Sequence, residues 1–281
     1  MRQQLQRSGR ALYRKLKVRL ALSGLADSNR ELATAIVNAA DGKVSETEKA
    51  LIDKIESLRE RLSASLEELE ITDYGARSGD ANLTEEDMYR GKVIRRTVGA
   101  VGKLASRASS TALLLFRLVR ELRPDVCIEL GTSVGISGCY EASALKVNSR
   151  GRLITLEGAD SIASVAKKSF EDLGLDNVTI VRGRFQDTLP GVLSSCPPVN
   201  YAFIDGHHDR IATVNYFHVL LPALADKAVV VFDDIQWSAG MRVAWAEIKG
   251  NERVRVSVDL GSMGLVCVGA NGPPRHFNFA Y

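Results

Sequence analysis

Short apolar runs recur through the second half of the chain, and amphipathic, helix-like segments separate most of them. Seven such runs predict β-strands. Continuous apolar strands joined by helices predict a mostly parallel sheet that is covered on both faces. No long helix separates the last two runs, which favours an antiparallel pair at the sheet edge. The runs are Val126–Leu130, Leu153–Leu156, Val178–Val181, Tyr201–Ile204, Ala228–Phe232, Val254–Val258 and Leu265–Val268.

The first hundred residues follow a helical pattern instead. Ser45 and Glu48 have the spacing of a capping box, in which each side chain satisfies the other residue's backbone amide. Apolar residues then recur at helical spacing, so one long helix is predicted to follow and to run to about Glu70. Two more helices are predicted at about 91–106 and 109–123.

These patterns predict a Rossmann-like α/β fold whose seven-stranded sheet is mostly parallel, with the last strand antiparallel. The helices before it form an N-terminal extension that serves as a cap or a dimerisation surface. We expect a homodimer that forms through the helix at 45–70. The chain therefore divides into a helical extension (1–107), the α/β domain (108–270) and an irregular C-terminal tail (271–281).

The first 20 residues contain seven Arg or Lys and no Asp or Glu, and their leucines recur at helical spacing. A basic amphipathic helix of this kind can contact an anionic membrane surface or act in targeting. The favoured interpretation is a solvated face that packs on the rest of the protein or on a second subunit.

Composition narrows the choice of function class. The net charge of +3 in 281 residues gives no reason to expect a DNA-binding protein, and no apolar run is long enough for a transmembrane helix. No secretory signal is evident. The four cysteines are scattered, and none forms a CxxC pair, which argues against a zinc site. A reducing, cytoplasmic setting is the simplest expectation.

The segment Glu129–Ser137 carries the main functional indication, because it follows the first predicted strand of the sheet and begins a helix. Gly131 permits a tight turn, and Gly135 allows a ligand to approach the backbone closely. The spacing is not GxGxxG, so a dinucleotide is less favoured. Glu157 ends the second strand, where a Rossmann-like fold places an acid for ribose hydroxyls.

Glu129–Ser137 resembles the first S-adenosylmethionine (AdoMet) motif of class I methyltransferases, and Glu157 resembles their ribose-binding acid. The resemblance covers about residues 109–270. It is closest to the cation-dependent small-molecule O-methyltransferases of the catechol and sugar types. It implies that Gly131, Ser133 and Ser137 surround the methionine end of AdoMet. The residues expected at the cofactor are Glu129, Gly131, Ser133, Gly135, Ser137, Glu157, Gly183, Arg184, Phe185, Asp205 and His207.

Three aspartates follow the fourth and fifth predicted strands. In an open parallel sheet the carboxyl ends of the strands meet at the ligand, so Asp205, Asp233 and Asp234 are predicted to converge. Close carboxylates need neutralisation, and Mg²⁺ prefers oxygen ligands. The resemblance implies the same three metal ligands, although Asp233 and Asp234 would also suit a helix cap.

His208 and Asp205 are the predicted catalytic residues. The imidazole can accept a hydroxyl proton near neutral pH, and it stands where the catechol-type enzymes carry a basic residue. That residue is a lysine in the subgroup, so a purely structural role for His208 stays open. The sequence thus favours metal-assisted O-methylation of a small hydroxylated molecule. The alternatives are a metal-independent methyltransferase on another nucleophile, including RNA, and a non-catalytic AdoMet-binding module.

Overall fold

The computed structural model describes residues 22–74, 90–105, 109–269 and 272–279. Residues 22–28 are helical. The helices that follow are α1 (Arg30–Ala40), α2 (Glu46–Ser63), α3 (Val98–Ala105), α4 (Ser109–Leu122), α5 (Ile136–Asn148), α6 (Asp160–Asp172), α7 (Phe185–Ser195), α8 (Arg210–Leu220) and α9 (Ala239–Lys249). In these ranges, no helix has both the length and the hydropathy that crossing a bilayer requires.

The strands form one small and one large sheet. A hairpin pairs β1 with β2, and the large sheet has the order β10-β8-β9-β7-β6-β3-β4-β5. The strands are β1 (Glu68–Asp73), β2 (Lys92–Thr97), β3 (Val126–Leu130), β4 (Arg152–Glu157), β5 (Val178–Arg182), β6 (Val199–Ile204), β7 (Leu224–Phe232), β8 (Val254–Asp259), β9 (Gly264–Val268) and β10 (Arg275–Asn278).

The large sheet confirms the predicted fold class. Strands β3 to β9 correspond to the seven apolar runs, and β9 is antiparallel to both of its neighbours while the other pairs are parallel. The sheet separates two apolar cores, because successive residues of a strand face opposite sides. Cys127 packs in one core and Ile128 in the other.

The predicted capping box is confirmed. Its glutamate, Glu48, also pairs with arginines of α4 and so links the N-terminal extension to the domain. The Glu48 amide donates to Ser45 Oγ at 3.3 Å, and the Ser45 amide donates to Glu48 Oε2 at 2.8 Å. Arg117 and Arg120 of α4 donate to the same buried carboxylate at 2.9 and 2.7 Å. This buried ion-pair network therefore joins α2 to the face of the α/β domain.

Two predictions for the N-terminal extension were wrong. Helix α2 ends at Ser63 rather than near Glu70, and the predicted helix at 91–106 is the strand β2 followed by the shorter helix α3. Residues of β1 alternate between exposed and buried positions, a period of two that a helical pattern does not have. Leu66 has the helical spacing of the preceding apolar residues but lies beyond α2 and is 85% exposed.

The predicted irregular tail was also wrong in part. Residues Arg275–Asn278 form β10, which pairs in parallel with β8 and makes the large sheet eight-stranded. The rings of Phe277 and Phe279 stack with centroids 6.3 Å apart, and Phe279 is buried. The basic amphipathic helix predicted in the first 20 residues lies outside the described residues, as do residues 75–89.

Candidate active site

The loop between β3 and α5 forms the floor of a cavity at the carboxyl ends of the strands. Gly131, Ser133 and Gly135 have φ values of +105°, +47° and +90°, so the loop turns through the left-handed region at each of them. A Cβ atom on Gly131 would lie 2.2 Å from the carbonyl oxygen of Asp205. Only glycine therefore allows this loop to lie against the end of β6.

Glu129 lies beneath this loop, fully buried, and does not line the cavity. Its carboxyl group accepts hydrogen bonds from the hydroxyls of Ser137 at 2.5 Å and Thr155 at 2.6 Å. Burial raises the pKa of Glu129 to about 8, although these two hydrogen bonds act in the opposite direction. Glu129 thus holds Ser137, which does line the cavity, from below.

Glu157 ends β4 and lines the cavity. Its Oε2 accepts a hydrogen bond from the Ser133 amide at 2.9 Å, and its Oε1 accepts one from the Ala159 amide at 3.0 Å. Burial raises the pKa of Glu157, and the backbone amides oppose that shift. The two carboxylate oxygens together offer about four lone-pair sites, so the group can still accept a hydrogen bond from a ligand hydroxyl.

Aromatic rings form one side of the cavity. Phe185 and His207 meet edge to face with centroids 5.9 Å apart, and Tyr216 Oη lies 2.8 Å from Nδ1 of His207. Burial lowers the pKa of His207, so the ring is neutral at pH 7. Arg184 also lines the cavity and pairs with Asp187 at 2.6 Å, whereas Gly183 does not line it.

Two of the three predicted aspartates, Asp205 and Asp234, lie beside His208. Nε2 of His208 lies 3.5 Å from Oδ1 of Asp205, and Nδ1 lies 3.8 Å from Oδ2 of Asp234. The imidazole ring therefore lies between the two carboxylates. His208 and Asp205 line the cavity, whereas Asp234 lies behind them, and Asp233 is buried with its Oδ1 accepting from the Asp234 amide at 2.8 Å.

The helix-capping alternative for Asp233 and Asp234 does not hold for the next helix. The N-cap of α9 is Ser238, whose hydroxyl accepts a hydrogen bond from the Met241 amide at 3.0 Å. Asp234 instead adopts a left-handed backbone conformation with φ +53°. Such a conformation costs on the order of 1 kcal/mol in a residue other than glycine. The two aspartates thus lie at the strand end for a reason other than capping α9.

The acidic side chains suit a divalent cation by their chemistry but not by their arrangement. Carboxylate oxygens are the ligands that Mg²⁺ prefers, so the chemistry of Asp205 and Asp234 suits one. The arrangement of these two carboxylates does not suit a cation, since the His208 ring lies between Asp205 and Asp234. In the part of the chain that the structure describes, no three His, Cys, Asp or Glu side chains are grouped so that they could hold a metal ion.

The β1–β2 hairpin supplies a wall of the cavity that sequence reasoning missed. Its lining side chains, together with Val101 of α3, face the loop Gly131–Ser137. Tyr74, at the end of β1, also hydrogen-bonds the His207 ring through its backbone. The alternation of polar and apolar residues in β1 was the available indication. The hairpin residues that line the cavity are Ile71, Thr72, Asp73, Tyr74, Ile94 and Arg96.

Two other residues lie away from the cavity. Trp237, which follows the aspartate pair at the end of β7, is 62% exposed and does not line it. Gly135 lies at the N-terminus of α5, where a Cβ atom would approach Ala166 and Phe170 at 3.3 Å. Gly135 therefore permits close packing of α5 on α6 and has no direct contact with the cavity.

Comparison with known proteins supports the expectation drawn from the motif. Residues 128–235 match a family model described as a methyltransferase domain. The chain is 34% identical over 110 residues to a catechol O-methyltransferase of Niastella koreensis, which covers 38% of this chain and 48% of that protein. It is 33% identical over 97 residues to the catechol O-methyltransferase of Bos taurus, covering 34% and 35%.

A solved structure has a similar fold. An O-methyltransferase from Bacillus cereus, crystallised in complex with SAH, superposes with a TM-score of 0.52 at 22% identity, covering 59% of this chain and 83% of that one. The chain spans less than half the length of the two catechol O-methyltransferases it matches. The region that matches the family model, residues 128–235, runs from within β3 to just beyond β7 and includes the residues at the carboxyl ends of these strands.

Proposed function

We propose that this chain, whose central domain is a class I methyltransferase domain, transfers the methyl group of AdoMet to a hydroxyl oxygen of a small molecule. One observation carries the proposal. The loop Gly131–Ser137 and Glu157, which suit the cofactor, line the same cavity as Asp205 and His208, which suit proton transfer. The cofactor and the acceptor can therefore meet there.

Each part of the cavity has a role in this proposal. Glu157 accepts hydrogen bonds from the ribose hydroxyls, while Phe185 and His207 border the adenine. The loop from Gly131 to Ser137 holds the methionine end. Methyl transfer is an in-line displacement, so the protein's main contribution is to align the acceptor oxygen, the methyl carbon and the sulfur.

The acceptor hydroxyl must lose its proton as its oxygen bonds to the methyl carbon. The C–S bond breaks, and its electron pair stays on sulfur, which leaves as a neutral thioether. His208 takes the proton, since it lines the cavity and an imidazole can accept a proton near neutral pH. Asp205, 3.5 Å from His208 Nε2, stabilises the imidazolium that forms.

Cation-assisted transfer is the second candidate. It is favoured by the chemistry of the acidic residues and by the similarity to catechol O-methyltransferases. Asp205, Asp233 and Asp234 would hold the cation, which would lower the pKa of the acceptor hydroxyl. His208 would first have to leave its place between Asp205 and Asp234.

Isothermal titration of AdoMet into the full chain tests the proposal, followed by an assay of methyl transfer to catechols. We expect AdoMet to bind with Mg²⁺ and with EDTA alike. Activity that EDTA abolishes and Mg²⁺ restores would support the second candidate, and activity retained in EDTA would exclude it. No binding of AdoMet in either buffer would refute a methyltransferase function.

A further inference from the structure

Arg96 is the cation among the hairpin residues that line the cavity, which also include the two isoleucines Ile71 and Ile94 and the carboxylate of Asp73. Its partner across the hairpin is Leu69, and Ile71 pairs with Ile94 on the same face. Leu69 and Ile71 are buried, and Ile94 packs against the core. Arg95, the next residue back in the strand, points to the opposite face and pairs there with Glu70 at 3.6 Å.

Among the residues that the structure describes, no carboxylate pairs with Arg96. The second arginine that lines the cavity, Arg184, is neutralised by Asp187. Arg96 is partly buried. A guanidinium that has lost part of its hydration at the wall of a binding cavity favours an anionic ligand group. The hairpin keeps a charge at a position where its pattern would otherwise place another apolar residue.

We propose that Arg96 binds a carboxylate of a ligand inside the cavity. The inference rests on the proposed function, which supplies two sources for that group. One is the carboxylate at the methionine end of AdoMet, and the other is a carboxylate on an acidic methyl acceptor. A guanidinium matches a carboxylate through two parallel N–H···O hydrogen bonds, a geometry that lysine cannot reproduce.

The first arm of the test concerns the cofactor. AdoMet and decarboxylated AdoMet are titrated into the wild-type chain, Arg96→Gln and Arg95→Gln, which removes the neighbouring charge from the outer face. If the cofactor is the source, the wild type prefers AdoMet by about tenfold or more, and Arg96→Gln removes the preference while Arg95→Gln keeps it. Arg96→Lys restores only part of it.

The second arm concerns the acceptor. Catechol and 3,4-dihydroxybenzoate are titrated into the same variants saturated with S-adenosylhomocysteine. If the acceptor is the source, the wild type prefers the carboxylate compound by about tenfold or more and Arg96→Gln loses that preference. Thermal unfolding of Arg96→Gln, Arg96→Lys and Arg95→Gln, compared with the wild type, checks that a lost preference does not come from misfolding.

The outcomes separate the two ideas. A wild type that binds AdoMet but distinguishes neither pair of ligands overturns the role of Arg96 and leaves the methyltransferase proposal intact. The same holds if Arg96→Gln keeps the wild-type preference in both arms. A wild type that binds no AdoMet overturns both proposals together.

Discussion

Replacing Glu157 by Gln tests how the cavity holds its cofactor. The substitution keeps the size of the side chain and removes its charge. In the structure the two carboxylate oxygens accept from the amides of Ser133 and Ala159. Glutamine has one acceptor oxygen, so one of these amides would face an NH₂ group instead. The variant therefore disturbs the cofactor loop as well as the expected contact with ribose.

The size of the effect follows from these bonds. A hydrogen bond to an ionised acceptor contributes roughly 1.5–3 kcal/mol. Losing one of them at the ribose corresponds to a Kd for AdoMet that rises roughly 10- to 150-fold. Where the Ser133 amide is the one that faces the NH₂ group, the loss is larger, because Ser133 belongs to the loop proposed to hold the methionine end.

The assay is isothermal titration of AdoMet into the variant and the wild type in the same buffer. Glu171→Gln is the control, since that glutamate is exposed on α6 and forms only a surface pair with Lys167. A Glu157→Gln variant that binds AdoMet within twofold of the wild type, with unchanged thermal unfolding, would refute the assigned role.

The pH dependence of AdoMet binding is a second test of the role of Glu157. Because burial raises the pKa of Glu157, its carboxylate gains a proton at a higher pH than an ordinary glutamate does. The affinity of the wild type for AdoMet should fall as the pH is lowered through that raised value. The Gln variant has no proton to gain there, so this part of the pH profile should be missing.

Two further substitutions test the loop and the N-terminal network. Gly131→Ala should abolish AdoMet binding and lower the Tm, because its Cβ would lie 2.2 Å from the Asp205 carbonyl. Gly174→Ala, which has a positive φ and no atom within 4 Å, is the control for backbone strain, and equal losses of Tm would contradict the steric argument. Burial alone would raise the pKa of Glu48, but hydrogen bonds from the Ser45 backbone and two arginines outweigh burial and lower the pKa to about 2. Glu48 should therefore contribute about 3 kcal/mol to the free energy of unfolding at pH 7. This contribution is present above pH 4.5 and is lost as the pH falls towards 2, so urea titrations of Glu48→Gln should lack that acid-dependent loss, and an unchanged acid profile would contradict it.

The large sheet could be predicted because its strands are buried on both faces. A parallel strand with helices on each side has no solvated face, so β3, β4, β6 and β7 each contain a short run of mainly apolar residues. The position of Asp205 at a strand end followed from the same pattern. Nine of the residues expected at the site line one cavity: Gly131, Ser133, Ser137, Glu157, Arg184, Phe185, Asp205, His207 and His208.

The hairpin could not be predicted in the same way. Strand β2 has exposed charges and one half-buried isoleucine, and it becomes a strand by pairing with β1 some twenty residues earlier in the chain. Such pairing depends on tertiary contacts, which local propensity does not contain. For β10, the preceding prolines suggested an irregular tail, whereas Arg275–Asn278 is ordered by its pairing with β8. The homodimer stays a prediction, which light scattering can measure.

Because the β1–β2 hairpin forms a wall of the cavity, hydrogen exchange of its backbone amides should depend on whether the cavity holds a ligand. A two-stranded ribbon is only marginally stable by itself, and this one is held by contacts such as the hydrogen bond from Ser161 Oγ to the Glu70 carbonyl at 2.7 Å. A ligand in the cavity contacts the hairpin and the carboxyl ends of the sheet together, and so joins two segments of the chain that are distant in sequence. Amide hydrogen exchange in β1 and β2 should therefore slow when the cavity fills, while the central strands, already protected, stay unchanged.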